Sequence, residues 1–374
     1  MPARPHRPSR LLPSADGEVA AWLRAQGREP DLLAPPARPR GKLARLRRLP
    51  GLVAYYRKLF RYFRMYDFSL VWSVGLEAHW LSAGLKARFN VPLVWQLWSI
   101  VPPGRALGLF RAAAAVFSDH VVASSLYVAH QLGRSLRWRR KLSVLYRGYE
   151  RGLFPQLDPV VARREEGAVF VTRATASATS GHKTFLRAFE RLRRSPAAAA
   201  RGARAVVLVE SESCALAVRE LVASLELETH VSLAPLERGD AWTGLAPQLV
   251  ALGATAYVNA DVGVEAFHPD VVEAMGARVP VIGARQGALS ELILHEATGL
   301  LATAGDSAAL GEELLHALSD CERRRELALD ADREFKARFA LARYVDAVER
   351  ILVELIGDET RAAASESDSG RDAA

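Results

Sequence analysis

Nine short apolar runs alternate along the chain with longer segments of helical periodicity. Most of these runs are continuous rather than alternating, which is typical of parallel strands covered on both faces. They predict strands at 69–74, 93–99, 120–124, 142–147, 168–173, 204–209, 230–235, 255–259 and 279–283. Amphipathic helices are predicted between them, for example at 183–194, 215–227 and 241–253. The repeated strand–helix order therefore predicts an α/β protein with doubly wound parallel sheets.

A turn-like break at 151–165 divides this order into two halves. The chain has 374 residues, more than the ~100–200 residues of one ordinary domain. We therefore predict two Rossmann-like domains facing a cleft, at 1–160 and 161–335, with ligands beyond the carboxyl ends of the strands. Residues 306–355 predict consecutive helices, and the polar segment 357–374 predicts a disordered tail. The first forty residues lack a clear buried strand, so the first unit is expected to be shortened, or the true start lies upstream.

Composition excludes several classes of protein. Hydrophobic residues make up 50% of the chain and charged residues 25%, the balance of a soluble globular protein. No apolar run approaches the ~18 residues of a membrane span. The two cysteines cannot form a disulfide framework or a four-cysteine zinc site. The first twenty residues lack the apolar centre of a secretory signal, so we expect a cytoplasmic protein.

Positive charge is concentrated at the start of the chain. The net charge is +8, and residues 1–64 carry fifteen Lys and Arg against four Asp and Glu. Such a face suits an anionic partner, although a solvated surface would have the same composition. In 42–66, basic residues interleave with Leu, Tyr and Phe. Two short helices around Pro50-Gly51 would then lie on an anionic membrane, or one helix would pack its aromatic side chains inward. No nucleic-acid-binding module is recognisable, so nucleic acid is not expected as a partner.

The segment 261–306 carries the most informative residues. Glu265 and Glu273 are eight positions apart, and His268-Pro269-Asp270 between them is typical of a helix start. A strand end, a loop and a helix N-terminus in series present backbone N–H groups to phosphate or sugar oxygens. The two glutamates alone are a weak signal, and exposed charges on a helix surface would be the simpler account of them.

An ordered series of short motifs in this segment resembles the donor-binding half of retaining glycosyltransferases of family 4, which have the GT-B fold. The series begins with Glu265 and Glu273 and continues as Glu273-Ala274-Met275, Val279-Pro280-Val281-Ile282, Gly287 to Glu291, and Thr298-Gly299-Leu300-Leu301. Weaker resemblance extends upstream through 120–132 and 141–158. The resemblance covers about residues 67–355.

This resemblance implies roles for particular residues. Glu265 would lie beside the transferred sugar, and Glu273 would bind the nucleotide ribose. Arg173, at the end of a predicted strand, would neutralise the diphosphate of the donor. Glu265 and Arg173 are thus the candidate catalytic residues. Further donor-binding candidates are Lys183, His268, Phe267 and Ser180.

Some positions depart from the family pattern. The phosphate-binding lysine of the family aligns with Ser180, so Lys183 is either a displaced phosphate ligand or an ordinary helix lysine. His268 replaces a glycine; it would contact the donor, narrow its pocket or face solvent. On the acceptor side, Trp72, Val74 and Trp98 stand where the family has histidines. His79 is the remaining acceptor-side candidate, with a plain helix residue as the alternative.

The resemblance implies a hexosyltransferase that moves a sugar from a nucleotide diphosphate donor to a glycan or lipid-linked acceptor, with retention at the anomeric carbon. Residues 1–160 would bind the acceptor and 161–335 the donor, while the helix at 336–356 would pack back on the N-terminal domain. We expect no metal and no cofactor besides the donor. The expected location is the cytoplasm, with contact to the inner face of the membrane through 42–66. The alternative is a non-catalytic GT-B scaffold in polysaccharide assembly.

Overall fold

The structure, a computed structural model, describes residue 24 and residues 49–66, 68–133, 136–157, 167–197, 202–237 and 244–369. The side chains of 49, 136, 137, 139 and 358–369 lie outside this description. Most of the predicted basic segment before residue 49, and residues 158–166 at the predicted domain boundary, also lie outside it. That boundary stays a prediction.

Ten strands form two sheets in the described part of the chain. The first sheet has the order β1-β2-β3-β4, and its strands are β1 (Val71–Val74), β2 (Leu93–Leu97), β3 (His120–Ala123) and β4 (Leu142–Val144). The second sheet has the order β10-β9-β8-β5-β6-β7. Its strands are β5 (Val169–Ala174), β6 (Arg204–Val209), β7 (Val231–Pro235), β8 (Ala256–Asn259), β9 (Val281–Arg285) and β10 (Leu300–Thr303). The prediction of two parallel sheets is confirmed.

In the described part of the chain, a helix precedes the first strand, others connect most successive strands, and three follow the last strand. They are α1 (Leu49–Tyr66), α2 (Leu76–Phe89), α3 (Arg105–Phe117), α4 (Leu126–Leu132), α5 (Leu136–Lys141), α6 (His182–Arg194), α7 (Glu212–Ser224), α8 (Leu245–Ala251), α9 (Pro269–Gly276), α10 (Leu289–Leu292), α11 (Ser307–Ser319), α12 (Cys321–Arg338) and α13 (Leu341–Ser369). The assigned helix α13 runs past residue 356, where the sequence analysis ended it. After that position, Ala362, Ala363 and Ala364 favour helix.

Both faces of the second sheet are buried, which explains its continuous apolar strands. On β5, Phe170 belongs to one apolar cluster and Val171 to another. Val206 and Val207 on β6 divide between the two clusters in the same way. Because successive side chains of a strand point to opposite faces, each face needs its own apolar residues. The apolar residues of these strands therefore follow one another continuously instead of alternating with polar residues.

The chain divides into two compact units, residues 1–71 with 80–93 and residues 72–79 with 94–374. Within the first, α1 packs Leu59 and Phe63 with Leu85 and Val91. The ring of Phe63 also lies 5.7 Å from that of Phe89. The aromatic residues of α1 thus pack inward, as the second of the two sequence interpretations expected.

The two short helices predicted around Pro50-Gly51 stay a prediction, because residues 42–48 lie outside the described part of the chain. Pro50 and Gly51 lie inside the first turn of one continuous helix, α1. Proline is tolerated there because the first backbone N–H groups of a helix have no intrahelical partner. Of the helices in the described part of the chain, none combines the length and apolar content needed to cross a bilayer.

Candidate functional site

The candidate site lies at the carboxyl ends of two neighbouring strands. Strand β5 pairs in parallel with β8, with Phe170 opposite Ala256 and Thr172 opposite Val258. Arg173, the next residue of β5, therefore lies at the same sheet edge as the loop that follows β8. That loop carries Asp261 and Glu265 to the start of α9.

One arginine meets three carboxylates at this edge. Arg173 Nη2 lies 3.1 Å from Asp261 Oδ2 and 3.8 Å from Glu265 Oε2, and Nε lies 3.2 Å from Asp270 Oδ2. We call these four residues the Arg173 cluster. The three carboxylates, Asp270 foremost, raise the pKa of the Arg173 guanidinium, although burial opposes them. Arg173 is therefore a permanent cation in a locally acidic site.

Asp270 is the most enclosed member of the cluster. It lies in the first turn of α9, and its Oδ2 accepts hydrogen bonds from Tyr257 Oη at 2.5 Å and Asn259 Nδ2 at 2.7 Å. Burial raises the pKa of the Asp270 carboxyl, but Arg173, His268 and these hydrogen bonds outweigh burial, so the net shift is downward. Asp270 is thus an ionised, fixed support for Arg173.

Asp261 joins the cluster to the N-terminus of α6. The backbone N–H of Gly181 donates to Asp261 Oδ1 at 2.8 Å, and Asp261 N donates to Asn259 Oδ1 at 3.2 Å. Both carboxylate oxygens of Asp261 are therefore engaged, one by a helix N-terminus and the other by Arg173. A carboxylate is favoured there because of the partial positive charge at the start of a helix.

The loop before Glu265 is held from two sides. Val262 N donates to Thr179 O at 2.9 Å, and Gln286 Nε2 donates to Gly263 O at 3.0 Å and to Asp261 O. A Cβ on Gly263 would lie 2.3 Å from Thr179 Cβ, so only glycine fits. These contacts hold the backbone of the loop and so fix the direction in which the Glu265 side chain projects.

Glu265 is the exposed carboxylate of the cluster. Its side chain keeps 42% of its exposure. Partial burial raises the pKa of Glu265, with Asp261 and Asp270 adding to the shift and His268 and Arg173 opposing it. It is therefore the cluster carboxylate best placed to meet a ligand.

His268 is buried beside Glu265, so the solvent-facing interpretation is wrong. The residue precedes α9 as its N-cap and has no exposed surface. Its Nδ1 lies 3.3 Å from Asn259 Nδ2 and 3.9 Å from Glu265 Oε2. Asp261, Glu265 and His268 present potential metal-ligand atoms within 4.8 Å of one another. Arg173 already pairs with the two carboxylates, so a divalent ion would have to share them with a guanidinium.

Glu273 lies on α9 outside the Arg173 cluster. Its Oε2 accepts hydrogen bonds from Leu245 N at 2.9 Å and Ala246 N at 3.4 Å, at the start of α8. Burial raises the pKa of Glu273, although these two hydrogen bonds and the charge of Arg147 oppose the shift. In this structure Glu273 therefore caps α8, and its predicted contact with a ribose stays a prediction.

Among the described residues, three other predicted site residues make no hydrogen bond or ion pair with the cluster. Ser180 is buried, and its Oγ accepts a hydrogen bond from Thr175 N at 3.1 Å. Phe267 packs in the core, with its ring 6.4 Å from that of Phe339. Lys183 is exposed on the first turn of α6, and among the described residues no hydrogen bond or ion pair joins it to the cluster. Their predicted contacts with a donor stay predictions.

His79 is a buried residue of α2. A hydrogen bond of 2.8 Å joins its Nδ1 to Ser73 Oγ, and its ring stacks on Trp95 at 5.1 Å. Burial lowers the pKa of His79 to about 4, although a hydrogen bond with the backbone of Gln96 opposes the shift. The side chain has no exposed surface, so it offers no contact to an acceptor in this conformation.

We expect His79 to make stability depend on pH. The pKa is about 4 in the folded protein and about 6.5 in the unfolded chain, so the unfolded chain binds more protons between these values. The stabilisation is complete above pH 6.5 and is lost as pH falls towards 4. Chemical unfolding should give a free energy of unfolding about 2 kcal/mol lower at pH 5 than at pH 7 from this group. The variant His79→Asn should lack this part of the slope; an unchanged slope would contradict the assignment.

Asp261 and Asp270 were not identified from the sequence as site residues. One follows a strand and the other opens a helix, where carboxylates commonly cap N-termini. A signal was nevertheless present in the sequence. Asp261, Glu265 and Asp270 lie within eleven positions after β8, the strand that pairs with the strand of Arg173.

Comparison with known proteins gives a family match to the second sheet and its helices. Residues 165–320 match the family model described as Glycosyl transferases group 1. N-acetyl-alpha-D-glucosaminyl L-malate synthase of Bacillus anthracis is 30% identical over 95 residues, 25% of each chain. The match thus spans about a quarter of the length of that curated relative.

Solved structures resemble nearly the whole chain. Anabaena HepE in complex with UDP has a TM-score of 0.75 at 19% identity, covering 92% of this chain and 91% of HepE. HepE is also known in complex with UDP-glucose. A glycosyltransferase from Rickettsia africae has a TM-score of 0.73 at 16% identity, covering 91% of this chain and 88% of that one. At these identities the likeness shows the fold, which is the predicted GT-B fold.

Proposed function

Since residues 165–320 carry a glycosyl transferases group 1 region and the chain has a GT-B fold, we propose that this protein is a retaining glycosyltransferase. It transfers a hexose from a nucleotide diphosphate donor to a glycan or lipid-linked acceptor in cell-envelope or exopolysaccharide synthesis. Residues 161–335 bind the donor and 1–160 the acceptor. The observation that carries this proposal is the meeting of Arg173 and Glu265, 3.8 Å apart, at one sheet edge.

The residues of the cluster support the chemistry of sugar transfer by position and charge. Arg173 stabilises the negative charge that develops on the leaving diphosphate, because its planar fork binds phosphate oxygens in pairs. Glu265, half exposed on its fixed loop, orients the hydroxyl groups of the sugar. Asp270 keeps Arg173 at the sheet edge. The leaving phosphate itself accepts the proton of the incoming acceptor.

The scaffold alternative is favoured by one specific observation. All three carboxylates of the cluster face Arg173, and Lys183 is not joined to the cluster among the described residues. A protein that no longer binds a diphosphate could keep its arginine neutralised in this way. Nucleotide binding therefore separates the two functions.

The test is thermal stabilisation by nucleotides. UDP, ADP and GDP, with UDP-glucose and other nucleotide sugars, are added to the purified protein. At 100 times its dissociation constant, a ligand adds about 2.7 kcal/mol of stability. We expect one diphosphate to stabilise the protein and its effect to disappear in Arg173→Lys and to weaken in Glu273→Gln. Glu326→Gln, an exposed residue paired with Arg323 on α12, is the matched control.

Each outcome decides between the two functions. Stabilisation that depends on Arg173 but not on Glu326 supports the transferase. No stabilisation of the folded wild-type protein by any nucleotide would favour the scaffold.

We also propose that α1 contacts the cytoplasmic face of an anionic membrane, where a lipid-linked acceptor would be found. Its exposed residues include four cations, Arg57, Lys58, Arg61 and Arg64. Their spacing places Arg57, Arg61 and Arg64 on one side of the helix. The aromatic residues pack inward, so the contact is mainly electrostatic, with help from exposed Met65.

Vesicle binding tests this contact. Each cation near an anionic surface contributes about 1 kcal/mol, so Arg57→Gln with Arg61→Gln should weaken binding to phosphatidylglycerol vesicles about thirtyfold. Removing two exposed cations from α12, Arg325→Gln with Arg333→Gln, should change it much less. Equal losses of vesicle affinity in the two double variants would show that the net charge of the protein, rather than α1, determines binding.

A further inference from the structure

The carboxylate of Asp261 occupies an anion site built by the chain itself. Its Oδ1 accepts from Gly181 N at 2.8 Å, at the start of α6, and its Oδ2 lies 3.1 Å from Arg173 Nη2. Asp261 is 6% exposed, whereas the side chain of Arg173 keeps 20% of its exposure. A helix N-terminus combined with an arginine is a general arrangement for binding phosphate oxygens.

The ion pairs of Arg173 use two of its three guanidinium nitrogens. Nε faces Asp270 at 3.2 Å, and Nη2 faces Asp261 and, at 3.8 Å, Glu265. Among the described residues no carboxylate pairs with Nη1. A diphosphate that binds the Nη1–Nη2 fork meets the Asp261 carboxylate at Nη2, so the two anions repel each other while they share that nitrogen.

We propose that Asp261 competes with the diphosphate of the donor for Arg173 and thereby sets the affinity for nucleotides. This inference rests on the proposed function. Binding of a diphosphate replaces the Asp261–Arg173 ion pair, while Gly181 N keeps its bond to Asp261 Oδ1. Asp261 is thus an affinity-determining residue that acts on Arg173. It also favours release of the nucleoside diphosphate product, because the carboxylate returns to Arg173 when the product leaves.

The variant Asp261→Asn tests this directly. Its amide oxygen can still accept from Gly181 N, but the side chain no longer carries the charge that pairs with Arg173. Calorimetric titration with UDP, ADP and GDP should show the bound diphosphate tightening about tenfold, which is equivalent to one charged hydrogen bond. The matching nucleoside, which has no phosphate, should bind equally to variant and wild type. Asp330→Asn, an exposed carboxylate paired with Arg333, is the control.

The outcomes separate this inference from the proposed function. Tighter binding of a diphosphate but not of its nucleoside supports competition. If wild type binds a diphosphate and Asp261→Asn binds it equally or more weakly, Asp261 only positions Arg173 and the inference is overturned while the function stands. If neither protein binds any of the three diphosphates, both fail together.

Discussion

Replacing Arg173 by methionine is expected to lower the free energy of unfolding by about 3–5 kcal/mol at pH 7, since the substitution leaves buried carboxylates without their cation. Asp261 and Asp270 are each almost fully buried, at 6% exposure, and Glu265 lies beside them. Methionine has a volume close to that of arginine, so the loss reports charge rather than a cavity. Urea unfolding at pH 7 measures it, with Arg173→Lys as the variant that keeps the charge.

The pH dependence of the same variant identifies the cause. Without Arg173, burial and mutual repulsion raise the pKa values of the three carboxyl groups above those of the unfolded chain. The native variant then binds more protons than the unfolded chain, so its stability should recover as pH falls from 7 towards 5. At pH 7, the double variant Arg173→Met with Asp270→Asn should regain part of the free energy of unfolding that Arg173→Met loses. A loss that is independent of pH and unaffected by Asp270→Asn would show that Arg173 acts through packing.

The fold could be predicted from the sequence because burial on both faces of a sheet leaves a clear pattern. The runs at 168–173 and 204–209 became β5 and β6 with ends shifted by at most one residue. Each strand packs apolar residues on both faces, and no polar alternation obscures the pattern. Pro50-Gly51 lies at the described start of α1, so the break predicted there stays a prediction.

The site could be predicted only in part. Arg173 and Glu265 were predicted from the family resemblance, and the parallel pairing of β5 with β8 brings both to one sheet edge. The involvement of Asp261 depends on where α6 begins in space, and sequence spacing does not contain that distance. The same holds for Glu273, whose contacts with Leu245 and Ala246 depend on the packing of α8 against α9.

Substituting Gly181 by alanine is expected to lower the free energy of unfolding by about 3 kcal/mol, because its Cβ has no room. That atom would lie 1.9 Å from the carbonyl carbon of Ala260 and 2.3 Å from Asp261 N. Both neighbours are backbone atoms, so no side-chain rotation relieves the overlap. The start of α6 must move away from the loop after β8, which lengthens the bond between Gly181 N and Asp261 Oδ1.

Gly108 provides the matched control for this steric argument. It lies exposed within α3, and a Cβ there would meet no heavy atom within 4 Å. Alanine is the better helix former by about 1 kcal/mol, so Gly108→Ala should stabilise the protein slightly. Urea unfolding of the two variants should therefore give changes of opposite sign for the same chemical substitution. A loss of less than 1 kcal/mol in the free energy of unfolding for Gly181→Ala would show that the loop after β8 can move to admit the Cβ. The close approach of Gly181 to Asp261 would then not hold the Arg173 cluster in place.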